Sequence, residues 1–476
     1  MRFWTLIGLI LALSALGLTY EIAAGRVLAP FFGTSLVTWT AVIAAVLAGF
    51  SIGSAWGGLV AERERDAAVR AARGALVAAA ILMALSPTAL TVLYAAGARG
   101  TGGMLLAVVL AFVPASVAIT LPSPLLAKMA VEARPGREGS SLGFVLAAGS
   151  VGAIAGAIAA GFALLPLIGS AATFAACGAG ALLCAISLRG PAPLWPAAVI
   201  VGASLLSGPV CRYESGLSCI DVARAGGAVH LYSDRIWQAA ERAGGEGADG
   251  RRLVLPYTRW LWARMDRDLG SDAAVLFVGG GGYTLPAQLL ASRPEARAVA
   301  VEIDALVTDV ARARMPWAGA VIARDGAEIG RKGWTGPIPS RLTIVHADGR
   351  AYLNETTHRF EAAVMDAFSS GSVPAHLATR ETYERLAGIV SGPVYVNLID
   401  APDGRLVRGV HAILSELWPH VTAVEGAVSA RGRANILLVA SRAPLEPLDP
   451  GTEGFAPAII TPGRAFTDDR GWIGHR

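Results

Sequence analysis

The chain has 476 residues, of which 54% are hydrophobic and only 16% charged, with a formal net charge of +4 and four cysteines. Soluble proteins carry roughly 25% charged residues, so this composition excludes a single soluble domain, a disordered chain and a disulfide-dense secreted scaffold. The shortage is uneven: residues 1–210 hold 11 Lys/Arg and 6 Asp/Glu, about 8% of their length, while the rest of the chain has an ordinary charge content. The positive excess lies in short loops between apolar segments, which removes the main support for nucleic-acid binding.

Seven apolar stretches near 3–23, 36–60, 74–96, 103–126, 140–165, 169–188 and 192–209 approach the roughly 20 residues that a bilayer-spanning helix needs. The run from Gly149 to Gly156 is rich in Gly and Ala, and small residues let helices pack closely in lipid. Seven such stretches in series favour a multi-pass membrane domain over soluble core helices, and a retained first span over a cleaved signal peptide. Arg2, Arg63, Arg65, Arg70, Arg73, Lys128, Arg134, Arg137 and Arg189 would lie on one side, and only Arg26 and Arg99 on the other. Lys and Arg concentrate on the cytoplasmic side, so the amino terminus is expected to be cytoplasmic. Six spans would place residue 211 onward inside and seven outside. Glu21, at the end of the first span, reads as an interfacial acid paired with a nearby Arg or as an ion site.

From residue 272 strands alternate with helices. The run from Asp272 to Val278 leads into Gly279-Gly280-Gly281-Gly282, and a second strand, 298–304, ends in Glu302-Ile303-Asp304. This spacing matches one strand–helix–strand unit, in which glycines admit a ligand to the backbone and the acid accepts from ribose hydroxyls. Further strands run into Ala347-Asp348-Gly349 and into Asp366, and others cover 394–398 and 435–439. Acids at three successive strand ends converge on the crevice where open parallel sheets bind ligands. The alternative is that Asp348 and Asp366 only cap turns. No Lys sits in a phosphate-cradling loop, and no His/Cys/Asp spacing points to a metal.

These motifs resemble those of spermidine synthases, the polyamine aminopropyltransferases, over roughly 211–442. Tyr213-Glu214-Ser215, Ile220-Asp221-Val222 and Leu231-Tyr232-Ser233-Asp234 through Gln238 resemble that family's small amino-terminal β-domain, and Tyr257 its pocket tyrosine. Tyr20-Glu21, Arg26, Gly53-Ser54-Ala55-Trp56-Gly57-Gly58 and the run Val373–Thr379 resemble fused transporter-like/spermidine synthase-like membrane proteins. The resemblance implies a multi-pass helical domain over 1–210, a β-domain over 211–265, and a doubly wound α/β, Rossmann-like, methyltransferase-type domain over 266–442, with an extended tail over 443–476. It implies that Glu302 holds ribose hydroxyls, that Asp348 with Gly349 meets the adenine edge, and that Gly279, Gly280 and Gly281 approach the donor. Gln238 and Tyr257 would line the pocket, and Asp366 would take the proton of the attacking amine. The co-substrate would be decarboxylated S-adenosylmethionine or S-adenosylmethionine, with a small amine or other small-molecule acceptor, no metal, and the bilayer as surroundings.

Three departures stand against plain diamine chemistry. Gly282 replaces an Asp of the family, Ala367-Phe368-Ser369-Ser370-Gly371 lacks its second Asp, and Thr258-Arg259-Trp260 puts Arg where an acid is usual. A dication favours carboxylates. Another S-adenosylmethionine-dependent transfer, or a ligand-binding, transport or scaffold role without turnover, therefore remains beside aminopropyl transfer. Cys211 and Cys219 would be free thiols in the cytoplasm and a disulfide outside it.

Overall fold

The computed structural model describes residues 2–33, 36–188, 190, 193–207, 211–242, 252–368, 373–430, 432–449 and 451–470. Arg189, residues 243–251 and Ser369–Gly371 lie outside them. The chain forms two compact units, Met1–Cys219 and Ile220–Arg476.

The first unit is helical: α1 Phe3–Phe32, α2 Leu36–Ala61, α3 Arg65–Ala95, α4 Gly100–Thr120, α5 Pro122–Glu132, α6 Glu138–Ala159, α7 Leu165–Ser187 and α8 Trp195–Ser204. Among the described residues five runs, against the seven expected, are long and apolar enough to cross a membrane: α1, Val37–Ala61 of α2, α3, α4 with α5, and Glu138–Ser187. The expected spans at 140–165 and 169–188 fall in one 50-residue run, because α6 passes through a π-helical turn, Ala160–Leu164, directly into α7. Gly169, at φ 75° and ψ 175°, breaks that run. Among the described residues, the stretch at 192–209 holds the ten-residue α8, with Pro196 in its first turn, followed by a 3-10 turn, Leu205–Ser207.

α1 and α6 lie together in the same direction. A Cβ on Gly152 would fall 2.2 Å from the Leu11 carbonyl, and one on Gly156 2.1 Å from that of Ala15. Thr19 Oγ1 donates to the Gly156 carbonyl at 3.1 Å. At one end of the bundle Arg134 covers the Phe3 ring at 3.9 Å, and Phe3 and Trp4 meet Phe144 edge-on. Lys128 Nζ donates there to the Ala61 carbonyl, capping the end of α2. At the other end Arg26 Nε donates to the Ser215 carbonyl, and the Glu214 carboxylate accepts from Ser170 N at 3.0 Å and from its hydroxyl. Glu214 thus caps the helix that restarts after Gly169, a favourable place for an anion.

These contacts fix the course of the chain. Leu188, just past α7, is held by Arg73 Nη1 at 2.6 Å, whereas Glu214 sits at the start of α7. The intervening α8, packed on α3 and α7, therefore carries the chain back along α7. Ser215 lies by Arg26, 23 residues along α1 from Phe3 and about 35 Å away at 1.5 Å per residue. Cys211 and Cys219 are disulfide-bonded within this unit, Cα to Cα 5.6 Å. Glu21 Oε2 is buried without a hydrogen-bond partner.

The second unit opens with an antiparallel meander of β2 Cys219–Ala225, β3 Ala228–Ser233 and β4 Ile236–Arg242, two residues of strand, β1 Tyr213–Glu214, having preceded it in the first unit. There follow α9 Pro256–Asp268, β5 Ala274–Val278, α10 Thr284–Ser292, β6 Arg297–Glu302, α11 Ala305–Arg314, α12 Pro316–Asp325, β7 Gly326–Ile329, β8 Leu342–His346, α13 Gly349–Glu355 and β9 Ala362–Met365. The chain ends through α14 Arg380–Ile389, β10 Val394–Asp400, α15 Arg405–Leu417, β11 His420–Glu425, β12 Ala434–Ser441 and β13 Ala456–Pro457.

The large sheet has the order β13-β11-β12-β10-β9-β5-β6-β8-β7. Strands β10 to β7 in that order are parallel, but β12 pairs antiparallel with both β10 and β11. The sheet is therefore mixed rather than purely parallel. Apart from the edge strand β7, the parallel strands are near-continuous apolar runs, as burial on both faces requires. Strand order reverses at β5, which has β6 on one side and β9 on the other, making that boundary the switch point where such sheets bind ligands. The described residues of the region read as an extended tail are packed: Phe455 meets Trp260, β13 extends the sheet beside β11, and Phe466 is buried against Gly409.

Candidate active site

The loop after β5 is shaped by its glycines. Gly279 adopts φ 103°, and a Cβ there would fall 2.3 Å from the backbone oxygen of Asp366. Only Gly permits both the conformation and the approach, and it brings the β5 and β9 strand ends together. Gly279 N donates to the Val301 carbonyl and Asp366 N to that of Val278, each at 2.9 Å, so the ladder holds both ends of the crevice.

Glu302, at the end of β6, is buried. Its Oε2 accepts from Gly280 N at 3.0 Å and Gly281 N at 3.1 Å, and its Oε1 accepts from Asp304 N at 3.0 Å. Burial raises its pKa, and these three N–H groups oppose the rise. The carboxylate thus moulds the glycine loop from behind. It is not among the residues lining the cavity over Asp366.

That cavity is lined by Gln238, Tyr257, the four glycines and Asp366. The structure brings these expected site residues together. Burial pushes the Asp366 carboxyl up to about 7, against the hydrogen bonds from Asn397 and Tyr257. Asn397 Nδ2 donates to Asp366 Oδ1 at 2.8 Å, and Asn397 Oδ1 accepts from Asn435 Nδ2 at 2.9 Å. The Tyr257 hydroxyl lies 3.3 Å from the Gln238 carbonyl and also reaches Asp366. Burial, then the charge of Asp366, holds the Tyr257 pKa well above that of a free phenol. Tyr257 is therefore a hydrogen-bond donor here, and Asp366 is the carboxyl lining this cavity whose raised proton affinity suits a base near neutral pH. Asp366 does not cap a turn.

Asp348 does cap one. Its Oδ1 accepts from Arg350 N at 2.9 Å and Ala351 N at 3.1 Å, at the start of α13. Its Oδ2 lies 2.8 Å from His376 Nε2. A ligand amino group would have to share Asp348 with His376 or displace it. Gly349 packs on the end of β5, where a Cβ would meet Val278 Cγ1 at 2.7 Å.

Two departures acquire a physical explanation. A Cβ on Gly282 would stand 2.4 Å from the Cβ of Ala239, so β4 occupies the space an Asp would need. Arg259 Nε pairs with Glu453 Oε2 at 2.8 Å and does not line the cavity. The expected electrostatic conflict between Arg259 and a cationic acceptor is thereby corrected. The cavity itself is only about 30 Å³, far below the roughly 300–1,000 Å³ of ligand sites, because the meander closes on the glycine loop. Gly282→Ala is expected to lower Tm by the equivalent of ~1–3 kcal/mol of overpacking, with Ala239→Gly restoring it. An unchanged Tm in the single variant would contradict this contact.

Sequence reading missed Asn397 and Asn435. Their one signal is a polar amide in an otherwise apolar buried strand, where it must have a partner. Among the described residues no group of three or more His, Cys, Asp or Glu is placed to hold a metal.

No protein-family model matches the chain, and no curated protein matches it. Among solved structures, it is similar to a probable spermidine synthase from Corynebacterium glutamicum at 17% identity and TM-score 0.45, over 56% of this chain and 100% of that one. A spermidine synthase in complex with the transition-state analogue AdoDATO aligns at 19% identity and TM-score 0.37, over 48% and 72%. Human methyltransferase-like protein 13 in complex with SAH aligns at 19% identity and TM-score 0.32, over 41% and 86%. At these values the functional reading rests on the residues of the site.

Proposed function

We propose that the second unit binds an adenosyl sulfonium donor, decarboxylated S-adenosylmethionine in first place, and transfers its aminopropyl group to an amine. The observation that carries this reading is Asp366: a carboxylate with a pKa near 7, held by Asn397 and Tyr257 against the glycine loop at the sheet's switch point. A protonated amine has no lone pair to attack with. Asp366 accepts its proton, the freed nitrogen attacks the carbon beside sulfur, the C–S bond breaks, and neutral methylthioadenosine leaves with the electron pair. Glu302 and the glycine loop would receive the ribose side, Asp348 and Gly349 the adenine side, and Gln238 and Tyr257 the space between donor and acceptor. Opening of the Ala239–Gly282 contact would admit the donor. The test is release of methylthioadenosine from decarboxylated S-adenosylmethionine with a panel of mono- and diamines. Release that requires an amine supports the reading, and release with none of them opposes it.

The first unit is proposed to be a multi-pass membrane domain with a cytoplasmic amino terminus. The basic residues near Phe3, Ala61 and Leu188 support that side. The return of the chain through α8, and the contact of Arg26 with Ser215, support an odd number of crossings. Residue 220 onward would then be extracytoplasmic, where a Cys211–Cys219 disulfide persists. Labelling of intact cells with an impermeant maleimide should modify these two cysteines only after reduction. Labelling confined to permeabilised cells, without reductant, would contradict it. Extracytoplasmic placement would separate the site from a cytoplasmic donor and would favour the second reading, a ligand-binding or transport protein without turnover.

A further inference from the structure

The groups that hold Asp366 lie across three neighbouring strands. Val396 of β10 pairs in register with Met365 of β9, so Asn397 and Asp366 follow side by side. Asn397 pairs with Leu437 of β12, and Asn435, two residues from Leu437, is its diagonal neighbour on the same face of the sheet. The three side chains form one row with Asn397 in the middle. Asn397 Nδ2 donates to Asp366 Oδ1 at 2.8 Å, and Asn397 Oδ1 accepts from Asn435 Nδ2 at 2.9 Å. Asn397 is buried and Asn435 half-buried. The Asn435 backbone is itself held, its carbonyl accepting from Gly426 N at 2.9 Å.

The two ends of an amide differ little in shape, so packing does not choose which of them Asn397 shows to Asp366. Hydrogen bonding does. An ionised carboxylate only accepts, so Asn397 must offer it the NH₂, and its own oxygen is then buried and needs a donor. We infer that Asn435 is a positioning residue, whose NH₂ holds Asn397 in the one orientation that gives Asp366 a donor. Turned by half, Asn397 would face Asp366 with an oxygen, and only the protonated carboxyl could meet it. Burial already pushes this carboxyl up to about 7, and the Asn397 bond opposes the rise. Without that bond the base would keep its proton across neutral pH. The other titratable group against Asp366 is Tyr257 of α9; β4, the glycine loop and α10 line the cavity with uncharged groups. On the strands themselves, Asp400 accepts from Leu406 N and Val407 N, and Arg433 donates to the Ile399 carbonyl. The inference rests on the proposed transfer for what the base does, and on geometry alone for how it is held.

The test substitutes Asn435→Leu in the full-length protein in neutral detergent, with either Asp or Asn at position 366, and follows Tm with pH. The Tm gain of Asp366→Asn should grow with pH and level off once Asp366 has lost its proton, because a raised folded-state pKa lowers stability until the pH passes it. In Asn435→Leu that levelling-off should move up by about one pH unit, the worth of one hydrogen bond to a charged group. The rise of kcat/KM for amine transfer should move with it. In an Asn397→Leu background the further change Asn435→Leu should move neither, since Asn435 acts through Asn397. An unmoved levelling-off in Asn435→Leu, or an equal shift in the Asn397→Leu background, overturns the inference. Asn435→Ala is read in the same way should the leucine variant not fold. The Tm comparison needs no turnover, so a failure to release methylthioadenosine would oppose the transfer reading and leave the role of Asn435 to be decided by Tm.

Discussion

Asp366→Asn is expected to lower amine-dependent transfer by ~10²–10⁴-fold, the usual worth of a positioned base, while donor affinity stays within about threefold of wild type. The amide keeps an oxygen for Asn397 but cannot take a proton. In the wild type, kcat/KM should rise with pH through about 7, where the Asp366 carboxyl loses its proton, and a flat profile across pH 6–8 would remove Asp366 from the base role. Stability provides a check that does not depend on turnover. The folded-state pKa lies above the unfolded one, so this carboxyl's contribution is fully present below about pH 4 and is lost as pH rises through about 7. The Asn variant should therefore gain Tm relative to wild type at pH 8 and not at pH 4. Equal increments at both would show that Asp366 is not desolvated.

Glu302→Gln is expected to weaken adenosyl-ligand binding about 10- to 100-fold and to lower Tm. The carboxylate accepts three backbone N–H bonds at once. A glutamine has one acceptor oxygen, and its NH₂ must face an N–H group, at a cost of ~1–3 kcal/mol for buried donors left unmade. The loss reaches the ligand through the glycine loop as well as through any direct bond to ribose. Wild-type affinity in the variant would remove Glu302 from the site, and lost affinity at unchanged Tm would mean that it acts on the ligand alone.

Local patterns were readable where the physics is local. The apolar run from Ala274 to Val278 followed by glycines, and the acids ending successive strands, located the crevice because strand burial and tight turns are written in adjacent residues. The same reasoning could not distinguish Asp348, which caps α13 and meets His376, from Asp366, which caps nothing. That difference depends on Asn397 and Asn435, more than 30 residues away in two other strands. Gly282 and Arg259 looked like losses of function until their partners, Ala239 and Glu453, were in place. In the helical unit hydropathy found apolar length but not its division. The break at Gly169 is a backbone conformation that any glycine in a helical run could adopt or refuse. Only Glu214, 44 residues later, capping Ser170, shows why the helix restarts there.

The most direct test is calorimetry of the full-length protein with decarboxylated S-adenosylmethionine, S-adenosylmethionine and methylthioadenosine in turn. The expected result is saturable one-to-one binding of the decarboxylated sulfonium and of methylthioadenosine, with both affinities reduced in Glu302→Gln. Absence of binding heat and of any thermal stabilisation with all three ligands would contradict a nucleoside site between β5, β6 and β9.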